Sequence, residues 1–194
     1  MASGFIERVK AFITKPGKAF EAEHKTTVKE AVIYSLKGFL VLAILLTMVA
    51  GFLGIMAQQI SLAMIPIMFF AILLGGFGGL LVASLWYHLW AYIFGARQGV
   101  RNTIKATLFS STPTYVLGWI PLVNYITGIW SLILLGIGLK KLQKLSTGRA
   151  IAAVVIAVLI PLIIAIIVIF WLLATYGLEI FATNGTTSAF SVPY

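Results

Sequence analysis

The sequence predicts an all-α fold, an integral membrane five-helix bundle preceded by an N-terminal amphipathic surface helix. Of the 194 residues, 61% are hydrophobic and only 10% are charged, whereas a soluble domain carries about a quarter charged residues. A helix needs about 20 apolar residues to cross the bilayer core, and the stretch 150–174 alone exceeds that length. These observations exclude a water-soluble globule and a disordered chain.

The first 27 residues are predicted to form a surface segment. Apolar residues recur there at helical spacing, opposite charged side chains; they are Phe5, Ile6, Val9, Phe12 and Ile13. We expect this helix to lie in the membrane interface on the cytoplasmic side, with its apolar face in lipid.

Residues 28–174 are predicted to form the membrane domain. Thr27 and Glu30 have capping-box spacing and mark the start of the first span. The apolar stretches that we assign to the membrane are Ala31–Ala57, Ile60–Phe94, Ala106–Trp119, Leu122–Leu139 and Ala150–Ala174. The second stretch is ambiguous, because its length fits one tilted helix or two short spans.

The distribution of cations favours a single crossing for that stretch. Seven of the 14 Lys and Arg residues precede the first span, and the others lie in the connectors Gly95–Lys105 and Lys140–Arg149. One crossing puts all 14 on one face, whereas two crossings move both connectors to the far side. Since positive residues cluster on the cytoplasmic side, we expect five spans, a cytoplasmic N-terminus and a C-terminus outside.

The tail, residues 175–194, is polar, contains no Lys or Arg and is expected to lie outside. Asn184-Gly185-Thr186 matches the N-glycosylation acceptor pattern there.

Side chains for catalysis are scarce. No carboxylate occurs between Glu30 and Glu179, and cysteine is absent, so thiol chemistry and paired-acid hydrolysis have no candidates. A dyad of His88 with a serine lacks the Gly-x-Ser-x-Gly context. We therefore assign no catalytic, cofactor-binding or metal-ligating residue and no cofactor, and we predict that the chain is not an enzyme.

A few polar residues inside the spans are candidates for a contact or a path in the membrane. They are His88, Ser110, Ser111, Thr112 and Tyr115. Hydroxyls beside Pro113 can line a substrate path, or they can satisfy the carbonyl that proline frees in a kinked packing helix. His88 can line a cavity, or it can bond to a neighbouring helix within an aromatic belt.

Small residues at four-residue spacing predict close helix packing. They are Gly75, Gly79 and Ala83, with a weaker pair at Gly128 and Gly136. Packing within one chain and a dimer face both fit this pattern.

Eleven cations are predicted to face lipid or a partner at the cytoplasmic leaflet. They are Arg8, Lys10, Lys15, Lys18, Arg97, Arg101, Lys105, Lys140, Lys141, Lys144 and Arg149. Each is worth about 1 kcal/mol near an anionic surface before screening. The expected partners are membrane lipids with anionic headgroups, an acidic membrane protein or a second copy of the chain, and not nucleic acid.

Several stretches together resemble the Yip domain family, in its prokaryotic branch. They are Lys15-Pro16-Gly17-Lys18-Ala19-Phe20, the segment 95–114, Leu117-Gly118-Trp119-Ile120-Pro121 and the segment 129–150. The resemblance covers roughly residues 5–175 and implies five membrane helices with a cytoplasmic N-terminus. Eukaryotic members bind Rab-type GTPases through a longer N-terminal region with an Asp-Leu-x-Gly-Pro type motif, which this chain lacks, so GTPase binding is not carried over.

The leading hypothesis is a Yip-type scaffold, adaptor or membrane-organising module. One alternative is a transporter or permeation path for a lipid or small solute, lined by 110–115 and His88. Another is an accessory subunit of a larger membrane complex that docks through the small-residue stripe.

Overall fold

The computed structural model describes the backbone of residues 4–187 and the side chains of residues 4–175. All the regular elements in this part of the chain are helices. The chain divides into two compact units, residues 1–154 and residues 155–194. The expected glycosylation site, Asn184, lies outside the described side chains.

Two short helices open the chain, α1 over Phe5–Thr14 and α2 over Pro16–Ala22. Pro16 occupies the first position of α2, where its missing N–H costs no helical hydrogen bond. A single 3-10 turn, Glu23–Lys25, then leads to the membrane helices.

Helix α3 spans Val28–Met56 and begins where the capping box predicts. The Glu30 amide donates to the Thr27 hydroxyl at 3.2 Å, and the Thr27 amide donates to the Glu30 carboxylate at 2.8 Å. This reciprocal pair satisfies two amides that the first helical turn leaves unpaired.

The stretch that was ambiguous in the sequence is one continuous helix, Met64–Ile93. It consists of α4 (Met64–Phe70), a π-helical turn (Ala71–Gly76) and α5 (Phe77–Ile93). The expectation of a single crossing is therefore confirmed at the level of the helix.

The third predicted span is corrected. In place of one helix over 106–119, the structure has α6 over Val100–Ser110 and α7 over Thr112–Leu117, broken at Ser111. The helical segment thus begins six residues earlier than expected and includes the polar residues that the hydropathy pattern assigned to a connector.

The last two helices are α8 over Val123–Leu142 and α9 over Thr147–Thr187. Within the described residues, four helices are long and apolar enough to cross a membrane, namely Val28–Met56, Met64–Ile93, Val123–Leu142 and Thr147–Thr175. The broken pair α6–α7 is the remaining element of the predicted five.

Helices α3 and α6–α7 run in the same direction. The Lys105 ammonium donates to the Thr26 carbonyl just before α3 at 3.1 Å. Further along both helices, the Ser35 hydroxyl donates to the Leu108 carbonyl at 3.1 Å.

Helices α5 and α8 run in the opposite direction. The Gln143 amide, just beyond α8, donates to the carbonyl of Gly99, just before α6, at 2.7 Å. At the other end of the pair, the Thr114 and Ser131 hydroxyls lie 3.0 Å apart. Likewise His88, near the end of α5, bonds to the early part of α6.

These directions bring the start of α3 and the connectors 94–99 and 143–146 to one end of the first unit, which we call the basic end. The sequence argument from charge parity required this arrangement of the two connectors.

The centre of the first unit is the helix with the weakest apolar character. Helix α6 contributes a continuous run of buried side chains, from Lys105 to Ser110, and its neighbours are α3, α5 and α8. Long apolar helices surround it and leave large hydrophobic side chains exposed along their outer faces, as expected of helices in contact with lipid.

The glycines that permit close packing are not those predicted from spacing. A Cβ at Gly75, Gly79, Gly128 or Gly136 would meet nothing within 4 Å. At Gly138 a Cβ would lie 2.9 Å from the Phe20 ring and 3.1 Å from the Ala106 Cβ. The prediction that the four former glycines pack helices together is wrong within the described residues, because four-residue spacing identifies a face but not its neighbour.

Gly138 and Gly136 offer a matched test of this packing on α8. We expect Gly138→Val to destabilise the protein by about 1–3 kcal/mol, because it forces a methyl group into the Phe20 ring and α6. Gly136→Val should be neutral or slightly stabilising, since the same helix gains propensity without a clash. Thermal unfolding in detergent measures both, and equal stabilities would contradict the packing described here.

Candidate functional site

The break at Ser111 is built from hydroxyl groups that replace missing backbone donors. Pro113 has no N–H to offer the carbonyl of Phe109, one turn earlier. The Thr112 hydroxyl donates to that carbonyl at 2.6 Å. The Ser111 hydroxyl donates to the Thr107 carbonyl at 3.0 Å. The helix therefore bends without leaving these two carbonyls unsatisfied.

Hydroxyls from α3 and α7 complete the network across the centre. The Tyr34 and Thr112 hydroxyls lie 2.9 Å apart. The Leu108 carbonyl accepts from Ser35 and from Tyr115, both at 3.1 Å. Tyr34 and Ser35 were not identified from the sequence, because nothing in an apolar run shows which residues face inward.

These contacts support the packing alternative for the polar candidates on α6 and α7. Ser110, like its neighbours, donates to a backbone carbonyl, that of Thr107, at 2.9 Å. His88 bonds through Nδ1 to the Thr103 hydroxyl at 2.8 Å. In the described residues the hydroxyls thus have partners within the protein, and His88 meets a neighbouring helix.

A cleft opens beside this network. Its volume is about 230 Å³. It is lined by Phe39, Gly76, Gly79, Leu80, Ala83, Ser111, Thr114 and Tyr115. The predicted small-residue stripe therefore borders open space at Gly79 and Ala83, and it meets two of the predicted polar candidates there.

A glutamine that the sequence gave no reason to single out joins the two connectors of the basic end. Gln143 is 2% exposed. Its carbonyl oxygen accepts from the Gln98 amide at 3.0 Å, and its amide donates to the Gly99 carbonyl at 2.7 Å and the Thr103 hydroxyl at 2.8 Å. A buried amide with three partners fixes the connectors to each other and to α6.

The amphipathic helix α1 docks on protein. Phe12 is 1% exposed; its ring stacks on Phe109 at 5.0 Å and meets Phe20 edge-on at 4.9 Å. The expectation that the apolar face lies in lipid is wrong for this side chain, because α1 and α2 together cover an aromatic surface of the helix unit. Ile6, on the same helix, is 78% exposed.

Two of the predicted lipid-facing cations are buried and have protein partners. Lys105 is 5% exposed, and its ammonium donates to the carbonyls of His24 at 3.0 Å and Thr26 at 3.1 Å. The Arg8 side chain is 15% exposed and pairs with Glu23 at 3.1 Å. The prediction for Arg8 and Lys105 is corrected, because both hold the N-terminal helices in place.

A third predicted cation is partly occupied. Lys141 pairs with Glu21 on α2. The hydrogen bond from the Lys141 ammonium, together with its charge, lowers the pKa of the Glu21 carboxyl below its ordinary value of 4.5.

The other predicted cations are exposed at the basic end. They are Lys10, Lys15, Lys18, Arg97, Arg101, Lys140, Lys144 and Arg149, and we call this set the basic face. It is composed of α1, α2, both connectors and the adjoining helix ends.

Long apolar helices arranged in alternating directions, with a polar helix buried among them, define an all-α multi-pass membrane protein. Comparison with family models agrees and is more specific: residues 10–185 match the Yip1 domain. The chain belongs to the Yip1 domain family. No curated protein and no solved structure matches it.

Phe12 and Ile6 allow a direct test of how α1 is held. We expect Phe12→Ala to cost about 3–5 kcal/mol of docking free energy and to expose α1 and α2 to protease. Ile6→Ala, on the exposed side, should leave the cleavage rate unchanged. Limited proteolysis of the full chain in nanodiscs measures both, and faster cleavage of Ile6→Ala than of Phe12→Ala would show that lipid, and not protein, holds the helix.

Proposed function

We propose that this protein is a non-enzymatic scaffold, adaptor or membrane-organising module whose basic face works against an anionic leaflet. The observation that carries the proposal is the convergence of eight exposed cations at one end of the first unit. Each cation near such a surface contributes about 1 kcal/mol before screening, so a set of this size attracts anionic lipid strongly.

The positive-inside rule supports an orientation with the basic face in the cytoplasm. The N-terminus then lies in the cytoplasm and, with five crossings, the C-terminus lies outside. The five crossings include the broken pair α6–α7, whose buried position among the long helices supports a place within the membrane domain.

Membrane lipids with anionic headgroups are the proposed partners. A membrane protein with an acidic surface or a second copy of this chain would use the same face or the exposed outer faces of the long helices. As an accessory subunit of a larger complex, the protein would retain companions through purification in mild detergent.

The transport alternative receives less support. It requires residues 110–115 and His88 to line one path. Ser111 and Tyr115 border the cleft, but His88 does not, since its ring bonds to Thr103. The hydroxyls near the cleft are occupied by backbone carbonyls, which favours a packing role.

The absence of native cysteine makes the orientation testable with single-cysteine variants. Gln58→Cys lies beyond α3, and Ser146→Cys lies in the connector at the basic end; both positions are exposed. We expect a membrane-impermeant maleimide to label Gln58→Cys in intact cells and Ser146→Cys only after permeabilisation. The reverse pattern would contradict the orientation.

The attraction to anionic lipid is testable by measuring which lipids the full chain retains. In nanodiscs of phosphatidylcholine and phosphatidylglycerol, we expect the anionic lipid to be enriched about threefold around the protein at 0.1 M salt. The enrichment should vanish near 1 M salt, because the Debye length falls from about 10 Å to about 3 Å.

The variant Lys15→Gln/Lys18→Gln/Lys140→Gln/Lys144→Gln should lose at least half of this enrichment. Its control carries Arg at the same four positions, which keeps the charge and should keep the enrichment. Equal retention of both lipids by the unmodified chain would refute the proposal.

A further inference from the structure

The two connectors of the basic end form one fixed unit. Gln143 bonds to Gln98, Gly99 and Thr103 at 3.0 Å or less, so the two loops cannot separate without breaking buried hydrogen bonds. Gly95 has a φ of +102°, and a Cβ there would lie 3.4 Å from an Arg149 guanidinium nitrogen. The Arg149 side chain of one connector therefore lies against the backbone of the other.

Four exposed cations surround this junction. Arg97 lies over the Tyr92 ring, with its guanidinium carbon 4.1 Å from the ring centroid, and donates to the Tyr92 carbonyl at 2.7 Å. Arg101 and Lys144 lie on either side of the Gln143 bridge in sequence. We infer that Arg97, Arg101, Lys144 and Arg149 form one binding site, the connector site, for the phosphate of an anionic lipid headgroup.

No structural role explains this convergence of charge. Within the described side chains the ion pairs are Arg8–Glu23 and Lys141–Glu21, and neither involves the connector site. Arg101 and Arg149 lie in the first turns of α6 and α9, where the helix dipole disfavours positive charge. Lys144 has a φ of +55°, a backbone conformation that side-chain-bearing residues rarely adopt. An anion bound among the four cations offsets their repulsion.

The chemistry of the site fits a phosphate. Three of the four cations are arginines, whose planar forks bind phosphate oxygens through paired charge-assisted hydrogen bonds. The contact of Arg97 with the exposed ring of Tyr92, on the same helix as Trp86 and Trp90, is typical of the headgroup level of a membrane. A lipid phosphate reaches this level, and the inference in this respect rests on the proposed function above.

The test uses the full chain in a neutral detergent, titrated with short-chain phosphatidylglycerol and followed by calorimetry or thermal shift. We expect saturable binding, weakened about tenfold by Arg101→Gln/Arg149→Gln, which corresponds to about 1.4 kcal/mol. Both residues are exposed, so the variant is expected to fold, and its unfolding temperature without lipid checks this.

The matched control is Lys25→Gln/Lys29→Gln, which removes the same charge from two other exposed positions near the start of α3. We expect its affinity to stay within about twofold of the original, since charges outside the site act only through screened attraction. An equal loss in both variants would overturn the connector site and leave the general attraction of the basic face intact.

The remaining arms identify the source of the phosphate. Inorganic phosphate that binds as tightly as the lipid would assign the site to a soluble anion and overturn the lipid inference. Hexaglutamate that displaces the lipid at equal concentration would assign it to an acidic protein segment. Absence of any preference of the unmodified chain for phosphatidylglycerol over phosphatidylcholine would overturn both the site and the proposed function.

Discussion

The burial of a polar helix among apolar ones is the constraint on which this structure depends. Helix α6 and its continuation α7 bring serine, threonine and tyrosine hydroxyls into the centre of the first unit, where an unpaired polar group costs several kcal/mol. Each hydroxyl bond described above answers that cost, and the Thr112 hydroxyl does so where Pro113 cannot donate to the Phe109 carbonyl. The positions of α3, α5 and α8 follow, because each supplies a partner or a close contact to this segment.

The same constraint operates at the basic end with charge in place of hydroxyls. Lys105 is buried against two carbonyls and Arg8 against Glu23, so these cations join the N-terminal helices to α6. The cations that remain exposed have no such partner within the protein. A division of labour results, in which buried charge secures the N-terminal helices and exposed charge is free to meet an anionic surface.

Much of the architecture could be predicted from hydropathy and charge, and the failures have a common physical cause. The span Ile60–Phe94 was correctly assigned to one helix because a second crossing would have separated the cations. The third span was misplaced because hydropathy measures affinity for lipid, and α6 is buried in protein. The glycine stripe, the lipid-facing side of α1 and the roles of Arg8 and Lys105 failed because periodicity identifies a face without identifying its neighbour. Gln143 was missed because a lone glutamine after two lysines carries no signal of burial.

The docking of the N-terminal helices has a consequence for how the chain is made. Glu21 meets Lys141, its partner 120 residues later, and the Phe20 ring lies against Gly138 on α8. Translation proceeds at about 5–20 residues per second, so α1 and α2 leave the ribosome roughly ten seconds before the surface that receives them exists. During that interval their apolar side chains face only lipid or chaperones, and the membrane interface is the natural resting place of such a helix. Assembly then ends with the earliest part of the chain, which closes over the bundle after its last contact helix has been inserted.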